Sequence, residues 1–215
     1  KFIENAPARD GDDYHMYCLG SSIGRKWDEN GSKRLNHMYD DDQVTKLETY
    51  LKGIPDNDDK VIFVITHYPL HYISTRKLND NAGKIIDVLN EAVDRGKKID
   101  FLWGHNHTEV SKGAEKNYDR IFKPTEMLTI NDTNTQKTLK FYYAAAGCMC
   151  DTEYTGGGVK GKGLVITIDD AKKLSFTYYD KEGSPIVDSS FTEKDPVAVQ
   201  SAAMTGADGK PLTAN

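Results

Sequence analysis

The sequence lacks any run of about 18 apolar residues, and its first residues, KFIENAPARDGDD, lack the apolar stretch of a signal peptide. We therefore expect that the 215-residue chain as given neither spans nor enters a membrane. It also lacks a Lys/Arg tract, and its formal net charge is −5, so little is present to neutralise a phosphate backbone. This excludes nucleic-acid backbone binding as the expected function and favours a small or locally recognised substrate.

Cysteine and histidine are both scarce. The three cysteines, Cys18, Cys148 and Cys150, are too few for a disulfide framework, and their odd number prevents complete pairing. Because a chain with few cysteines can still be secreted, the cellular compartment stays open. Packing is the default role for them, with a soft-metal site as the alternative. Of six histidines, two stand in WGHNHT (103 to 108), and none follows His107.

What is present has the composition of one globular domain, with 38% hydrophobic and 28% charged residues. We assign residues 1–190 to that domain. From 191 to 215 the sequence loses periodicity and becomes small, polar and punctuated by Pro and Gly, which predicts a tail or linker.

Two amphipathic helices are predicted. The first starts with a capping box, Asp40 followed by Gln43, and ends at Gly53 and Pro55. The second runs from about Ala82 to Arg95. Its N-cap is predicted at Asp80 or Asn81, and Gly96 falls at its C′ position. Each helix is expected to cover a sheet.

The runs VIFVIT (61 to 66) and IDFLW (99 to 103) predict buried strands, one on each side of the second helix. This order is a βαβ unit, in which the two strands are parallel and their C-terminal ends share one edge of the sheet. Further strands are predicted at 127–130, 138–147, 163–169 and 173–180, the last two as a hairpin. The predicted fold class is α/β.

Three histidines follow the two βαβ strands and are expected to converge at that edge. His67 comes directly after the first strand, and His105 and His107 follow the second after Gly104, which lets the backbone turn sharply. Neutral imidazole is a common metal ligand, so the pattern predicts a metal site. The alternative for the HxH pair is hydrogen bonding to loop carbonyls.

The segment after His67 is longer than a usual βα loop, which is typical of a functional loop. Three residues near the histidines are candidates for a substrate pocket: His71, Tyr72 and Asn106. Ordinary loop packing is the alternative for them.

ITHYPLH (65 to 71) and WGHNHT (103 to 108) resemble the last two metal-binding motifs, THxP and GHxH, of the calcineurin-like metallophosphoesterases. At the level of pattern the resemblance covers roughly residues 14 to 187. Within this range the sequence is similar to secreted or surface bacterial members of the family. It implies a four-layer αββα sandwich with two divalent metal ions, which could be Mn, Fe, Zn or Ni. It also implies that His67 and His105 bind one metal and that His107 binds the other.

The family's three earlier motifs, DxH, GDxxD and GNH[DE], are not found in order. Asp13 to His15 spell DxH but open a strand, and Asn36-His37 match part of GNH but are predicted to lie in a surface loop. We therefore predict the C-terminal half of a longer enzyme that hydrolyses phosphomonoesters or phosphodiesters. Alone, the chain is expected to bind at most one metal weakly, to show negligible catalysis and to self-associate through exposed sheet edges. No catalytic residue is assigned within it.

Two alternatives come from other classes. One is a non-catalytic binding or surface module with a vestigial metal site. The other is an amidohydrolase, which also uses HxH at a strand end but needs further histidine ligands downstream, and no histidine follows His107. The amidohydrolase is therefore disfavoured.

Overall fold

The computed structural model describes residues 8–20, 24–27, 34–37, 39–72, 81–104, 120–131, 133–148, 162–180, 182–185 and 200–202. The helices of this part are α1 (Asp41–Gly53) and α2 (Ala82–Asp94). Its strands are β1 (Ala8–Asp10), β2 (Tyr14–Cys18), β3 (Gly24–Trp27), β4 (Arg34–His37), β5 (Val61–Thr66), β6 (Lys98–Trp103), β7 (Ile121–Phe122), β8 (Met127–Thr129), β9 (Gln136–Thr138), β10 (Tyr142–Ala145), β11 (Gly147–Cys148), β12 (Lys162–Ile168), β13 (Leu174–Asp180) and β14 (Gln200–Ala202). The fold is α/β, as predicted.

The first sheet is mixed and has six strands in the order β1-β2-β5-β6-β10-β7. The four central strands are parallel, and the edge strands β1 and β7 pair antiparallel to their neighbours. The predicted βαβ unit is confirmed as β5, α2 and β6. Thr66 pairs with Trp103 at the carboxyl ends of β5 and β6, so these two ends do share one edge.

The second sheet is antiparallel, in the order β11-β12-β13-β14. It packs on one face of the first sheet, where Phe63 and Tyr142 meet Phe176 in one buried cluster. The other face of the first sheet packs on both helices, with Leu47 and Leu89 in a second cluster. The described residues therefore form three layers in the order helices, first sheet, second sheet.

Both helices form where local signals place them. Asp40 and Gln43 make the predicted capping box, and α1 ends at Gly53. At α2 the N-cap is Asn81, but its side chain makes no cap hydrogen bond and instead donates to the backbone oxygen of Tyr39 at 3.2 Å. Gly96 follows α2 with φ 88°, the left-handed conformation expected after a helix.

Two sequence-based predictions were wrong. The strand predicted at 138–147 is not one strand: Thr138 ends β9, which pairs with β8 in a separate two-stranded sheet, and β10 belongs to the first sheet. Between them Leu139 and Phe141 are buried in the helix-side core. A buried loop and a buried strand have the same apolar pattern, so the sequence could not separate them. Asn36 and His37 lie in β4, which pairs with β3 as a hairpin, and not in a surface loop.

The ends of the sheets bear on two further expectations. The edge strands of the first sheet have three and two residues, which limits pairing between copies, so self-association stays a prediction. Residues 200–202 of the predicted tail pair with β13 as β14.

In the part of the chain that the structure describes, neither helix is long and apolar enough to cross a membrane.

Candidate metal centre

His67 is the one predicted metal ligand that lies within the described residues. It follows β5 directly, and its side chain is exposed at the carboxyl edge of the first sheet. The backbone N–H of Gly104, which follows β6, donates to the backbone oxygen of His67 at 3.2 Å. The chain that leads into residues 105–107 therefore starts directly beside His67.

At Gly104 the backbone does not use the left-handed conformation that favours glycine, and the turn predicted after it leads into residues outside the described ranges. A Cβ built on Gly104 would stand 3.7 Å from Nδ1 of His67, an ordinary contact distance. A side chain at this position would therefore fit beside the imidazole ring without displacing it.

His105, Asn106 and His107 lie outside the described residues. Within the described ranges, no three His, Cys, Asp or Glu side chains are gathered so that they could hold a metal ion. His67 thus provides one accessible imidazole at the predicted edge, and whether the HxH pair joins it stays a prediction.

The loop that carries His67 is held by two tyrosine hydroxyls. The Tyr39 hydroxyl donates to the backbone oxygen of Tyr68 and lies 3.1 Å from Oγ1 of Thr66. The Tyr143 hydroxyl accepts from the Leu70 N–H at 2.9 Å. Burial of the whole Tyr39 side chain, which outweighs the bond to Thr66, raises the pKa of its hydroxyl, so it stays protonated.

The two described candidates for a substrate pocket differ in exposure. His71 is 2% exposed, and its Nδ1 lies 2.8 Å from the Tyr143 hydroxyl. Its ring meets Trp103 edge-on at 4.8 Å. Tyr72 is half-buried, and its N–H donates to the backbone oxygen of Thr129 at 2.8 Å. His71 is thus part of the packing beneath the loop, and contact of either residue with a substrate stays a prediction.

The DxH look-alike lies at the other end of the sheet. His15 pairs with Ile62 near the start of β5, and His67 is five residues further along the parallel direction. At about 3.3 Å per residue, this separates the two histidines by roughly 16 Å. Asp13, whose side chain bonds Lys172, is further still from the carboxyl edge. Neither residue can complete a metal site with His67 in one molecule.

His15 is held between two carboxylates. Its Nδ1 lies 2.5 Å from Asp10 and its Nε2 2.9 Å from Asp58. Burial would lower the pKa of His15, but the hydrogen bonds and charges of the two carboxylates together raise it above the ordinary 6.5. The pKa of Asp58 is lowered, since its bonds to His15 and to the Lys60 N–H outweigh the effect of burial. The imidazole links β1 and β2 to the segment before β5.

This histidine should make stability depend on pH. Because its pKa is raised on folding, its contribution is fully present below pH 6.5 and is lost as the pH rises through the folded pKa. His15→Gln should cost about 1 kcal/mol below that pH and much less at alkaline pH. Urea unfolding of both proteins across this pH range checks the expectation.

Asp10→Asn is the matched variant, since it keeps the histidine and removes one of its two carboxylates. The His15 pKa followed by NMR should fall in that variant. An unchanged pKa would show that Asp10, which is mostly exposed, does not bind the ring in solution.

Sequence reasoning missed the side chains that support the loop. Tyr143 stands in an apolar run, where it counts only as a core residue, and 72 positions separate it from His71. Tyr39 stands directly before the acidic residues that start α1, where nothing local indicates burial. A tyrosine in a buried strand needs a partner for its hydroxyl, and this signal applies to Tyr143 alone.

No protein-family model matches the chain, and no curated protein matches it. The metallophosphoesterase resemblance therefore rests on the two histidine motifs and on the βαβ geometry that positions the first of them.

Proposed function

We propose that this chain supplies the C-terminal part of a binuclear metal-dependent phosphoesterase. The observation that carries the proposal is the contact between His67 and Gly104, because it puts the first residue of the GHxH motif beside the THxP motif at the carboxyl edge of parallel strands. Ligands of open α/β sheets bind at this edge. The layers of helices and two sheets are compatible with the larger αββα sandwich.

In this proposal His67 and His105 hold one divalent cation, and His107 contributes to a second. Bound cations of this kind polarise a phosphoryl oxygen and supply a hydroxide for attack. The part played by the chain is to present neutral imidazoles in fixed positions. His67 suits the role of a metal ligand, because its side chain is exposed to solvent while its backbone oxygen accepts the Gly104 N–H.

The carboxylates that balance the charge of two cations are absent from the THxP and GHxH motifs. Asp10, Asp13 and Asp58 lie at the opposite end of the sheet, with His15. The remaining ligands would come from polypeptide outside this sequence, and the chain alone should hydrolyse phosphate esters negligibly. Its substrate in the complete enzyme is a phosphomonoester or phosphodiester.

The first test is metal binding by the chain itself, with Co²⁺ as a spectroscopic probe. We expect binding to be weak but measurable, with no more than one ion per chain. His67→Ala should reduce the affinity at least roughly tenfold, since even outer-shell partners of metal sites typically contribute about 10–100-fold. Calorimetric titration with Co²⁺ gives both the stoichiometry and the affinity.

His15→Gln is the matched control, because it removes a histidine from the other end of the same sheet. It should bind Co²⁺ as the wild type does. If His67→Ala and the wild type bind equally, the proposed site is wrong. Rapid hydrolysis of a chromogenic phosphodiester by the wild type with Mn²⁺ would instead contradict the incomplete site.

A further inference from the structure

The His67 loop and the end of β6 both contact one buried side chain, Tyr143 of β10. Its hydroxyl accepts the Leu70 N–H at 2.9 Å and lies 2.8 Å from Nδ1 of His71. A hydroxyl has one proton to donate and can accept as well, so both bonds form at once when the Tyr143 O–H donates to His71. The loop is thereby bonded to the first sheet at Leu70 and His71, which are three and four residues after His67.

The ring of Tyr143 is fixed as firmly as its hydroxyl. The side chain is fully buried, and its ring stacks on Phe101 at 5.5 Å and on Trp103 at 5.8 Å between centroids. Trp103 is the last residue of β6 and directly precedes Gly104. His71 closes the group, because its ring lies edge-on to the indole of Trp103 at 4.8 Å.

We propose that Tyr143 is a positioning residue that holds the His67 loop at a fixed distance from the chain entering residues 105–107. This inference rests on the proposed metal site. It assigns to Tyr143 no contact with metal or substrate. The hydroxyl acts through Leu70 and His71, and the ring acts through Trp103.

The physical reason is preorganisation. A ligand loop that moves must be ordered when the metal binds, and this cost weakens the binding. Besides the bond from the Gly104 N–H to the backbone oxygen of His67 at 3.2 Å, the Tyr143 hydroxyl bonds the loop at Leu70 and His71, and these two bonds restrain it. Removing the Tyr143 hydroxyl should loosen the loop at Leu70 and His71, while Tyr39 still holds it at Tyr68, and it should open no large cavity.

The test compares Tyr143→Phe with Tyr142→Phe. Tyr142 is the preceding residue on the same strand, but it faces the second sheet, where its ring lies 5.1 Å from Phe176. Both variants lose one tyrosine hydroxyl from β10, and only Tyr143→Phe loses the bonds to the loop. Amide hydrogen exchange at Leu70 and Co²⁺ affinity are measured in both.

We expect faster exchange at Leu70 and a roughly three- to tenfold loss of Co²⁺ affinity in Tyr143→Phe, with a changed visible Co²⁺ spectrum. Tyr142→Phe should retain the wild-type values. His71→Asn keeps a polar atom near the position of Nδ1, so it should lose less affinity than His71→Leu. This pair also provides the test if Tyr143→Phe fails to fold.

Equal affinity and an unchanged spectrum in Tyr143→Phe would overturn the positioning role while the proposed function stands. If the wild type itself binds no Co²⁺, the proposed function fails, and this inference fails with it. Faster exchange at Leu70 with unchanged affinity would reduce Tyr143 to a structural residue and would also overturn the inference.

Discussion

Asp100→Asn is expected to stabilise the protein at neutral pH, although it changes a fully buried residue. Asp100 stands in the middle of β6, and neither oxygen of its carboxyl has a hydrogen-bond partner among the described residues. Burial raises its pKa well above the ordinary 3.8. The folded protein therefore keeps this acid protonated under conditions in which the unfolded chain ionises it.

The position of Asp100 explains why no charge compensates it. It pairs in register with Phe63 on one side and Tyr142 on the other, and it faces the cluster between the two sheets. The pKa of Tyr142 is raised to about 12, first by burial and then by the nearby carboxyl. Lys98 shares this face of β6, but no ion pair joins it to Asp100 in the described part of the chain.

The sign of the effect follows from proton linkage. For an acid whose pKa is raised on folding, the unfolded chain loses its proton first, so stability falls as the pH rises from 3.8 towards the folded pKa. Within this window the loss is about 1.4 kcal/mol per pH unit. Asparagine cannot ionise, so the advantage of Asp100→Asn should be absent below pH 3.8 and should grow above it.

The measurement is the free energy of unfolding in urea as a function of pH for the wild type and Asp100→Asn. Asp12→Asn is the matched control, because it makes the same change at an exposed position and should shift stability little at any pH. If Asp100→Asn is less stable than the wild type at neutral pH, the carboxyl is ionised and paired with a group outside the described residues.

The sequence predicted the parts of the fold that depend on local patterns. The limits of β5 and the capping box of α1 were right because a continuous apolar run and an Asp-x-x-Gln spacing each act within a few residues. The meeting of β5 and β6 at one edge followed from a general rule about crossover connections. His67 could therefore be assigned to its edge from sequence alone.

The side chains around His67 could not be predicted in the same way. Tyr143 meets His71 across 72 positions, and Tyr39 meets Thr66 across 27, so no local pattern records either contact. Asp100 is a different case: the run IDFLW predicted a buried strand, and Asp100 is buried on the side of β6 that faces away from the helices, but the run did not indicate that its carboxyl has no partner among the described residues. The second sheet covers that side, and a burial pattern along one strand does not reveal what packs on it.

Trp103→Ala is expected to have the other large effect, on both stability and the candidate site. The indole is 1% exposed and contacts His71 and Tyr143, so its removal leaves a cavity beneath the His67 loop. Phe and Trp truncations in cores typically cost about 3–5 kcal/mol, and part of that loss should come from the loop. Co²⁺ affinity should therefore fall together with the free energy of unfolding.

Leu102→Ala separates these effects, since Leu102 precedes Trp103 on β6 but packs on the opposite, inter-sheet face and is only partly buried. It should cost about 2 kcal/mol and leave Co²⁺ affinity unchanged at temperatures where the protein is folded. Trp103→Phe should recover much of both properties, because it keeps an aromatic ring and removes an indole N–H without a partner in the described residues. If Trp103→Ala and Leu102→Ala lower stability equally and neither changes affinity, the aromatic group beneath the loop has no role in the site, because loop and core would then be energetically independent.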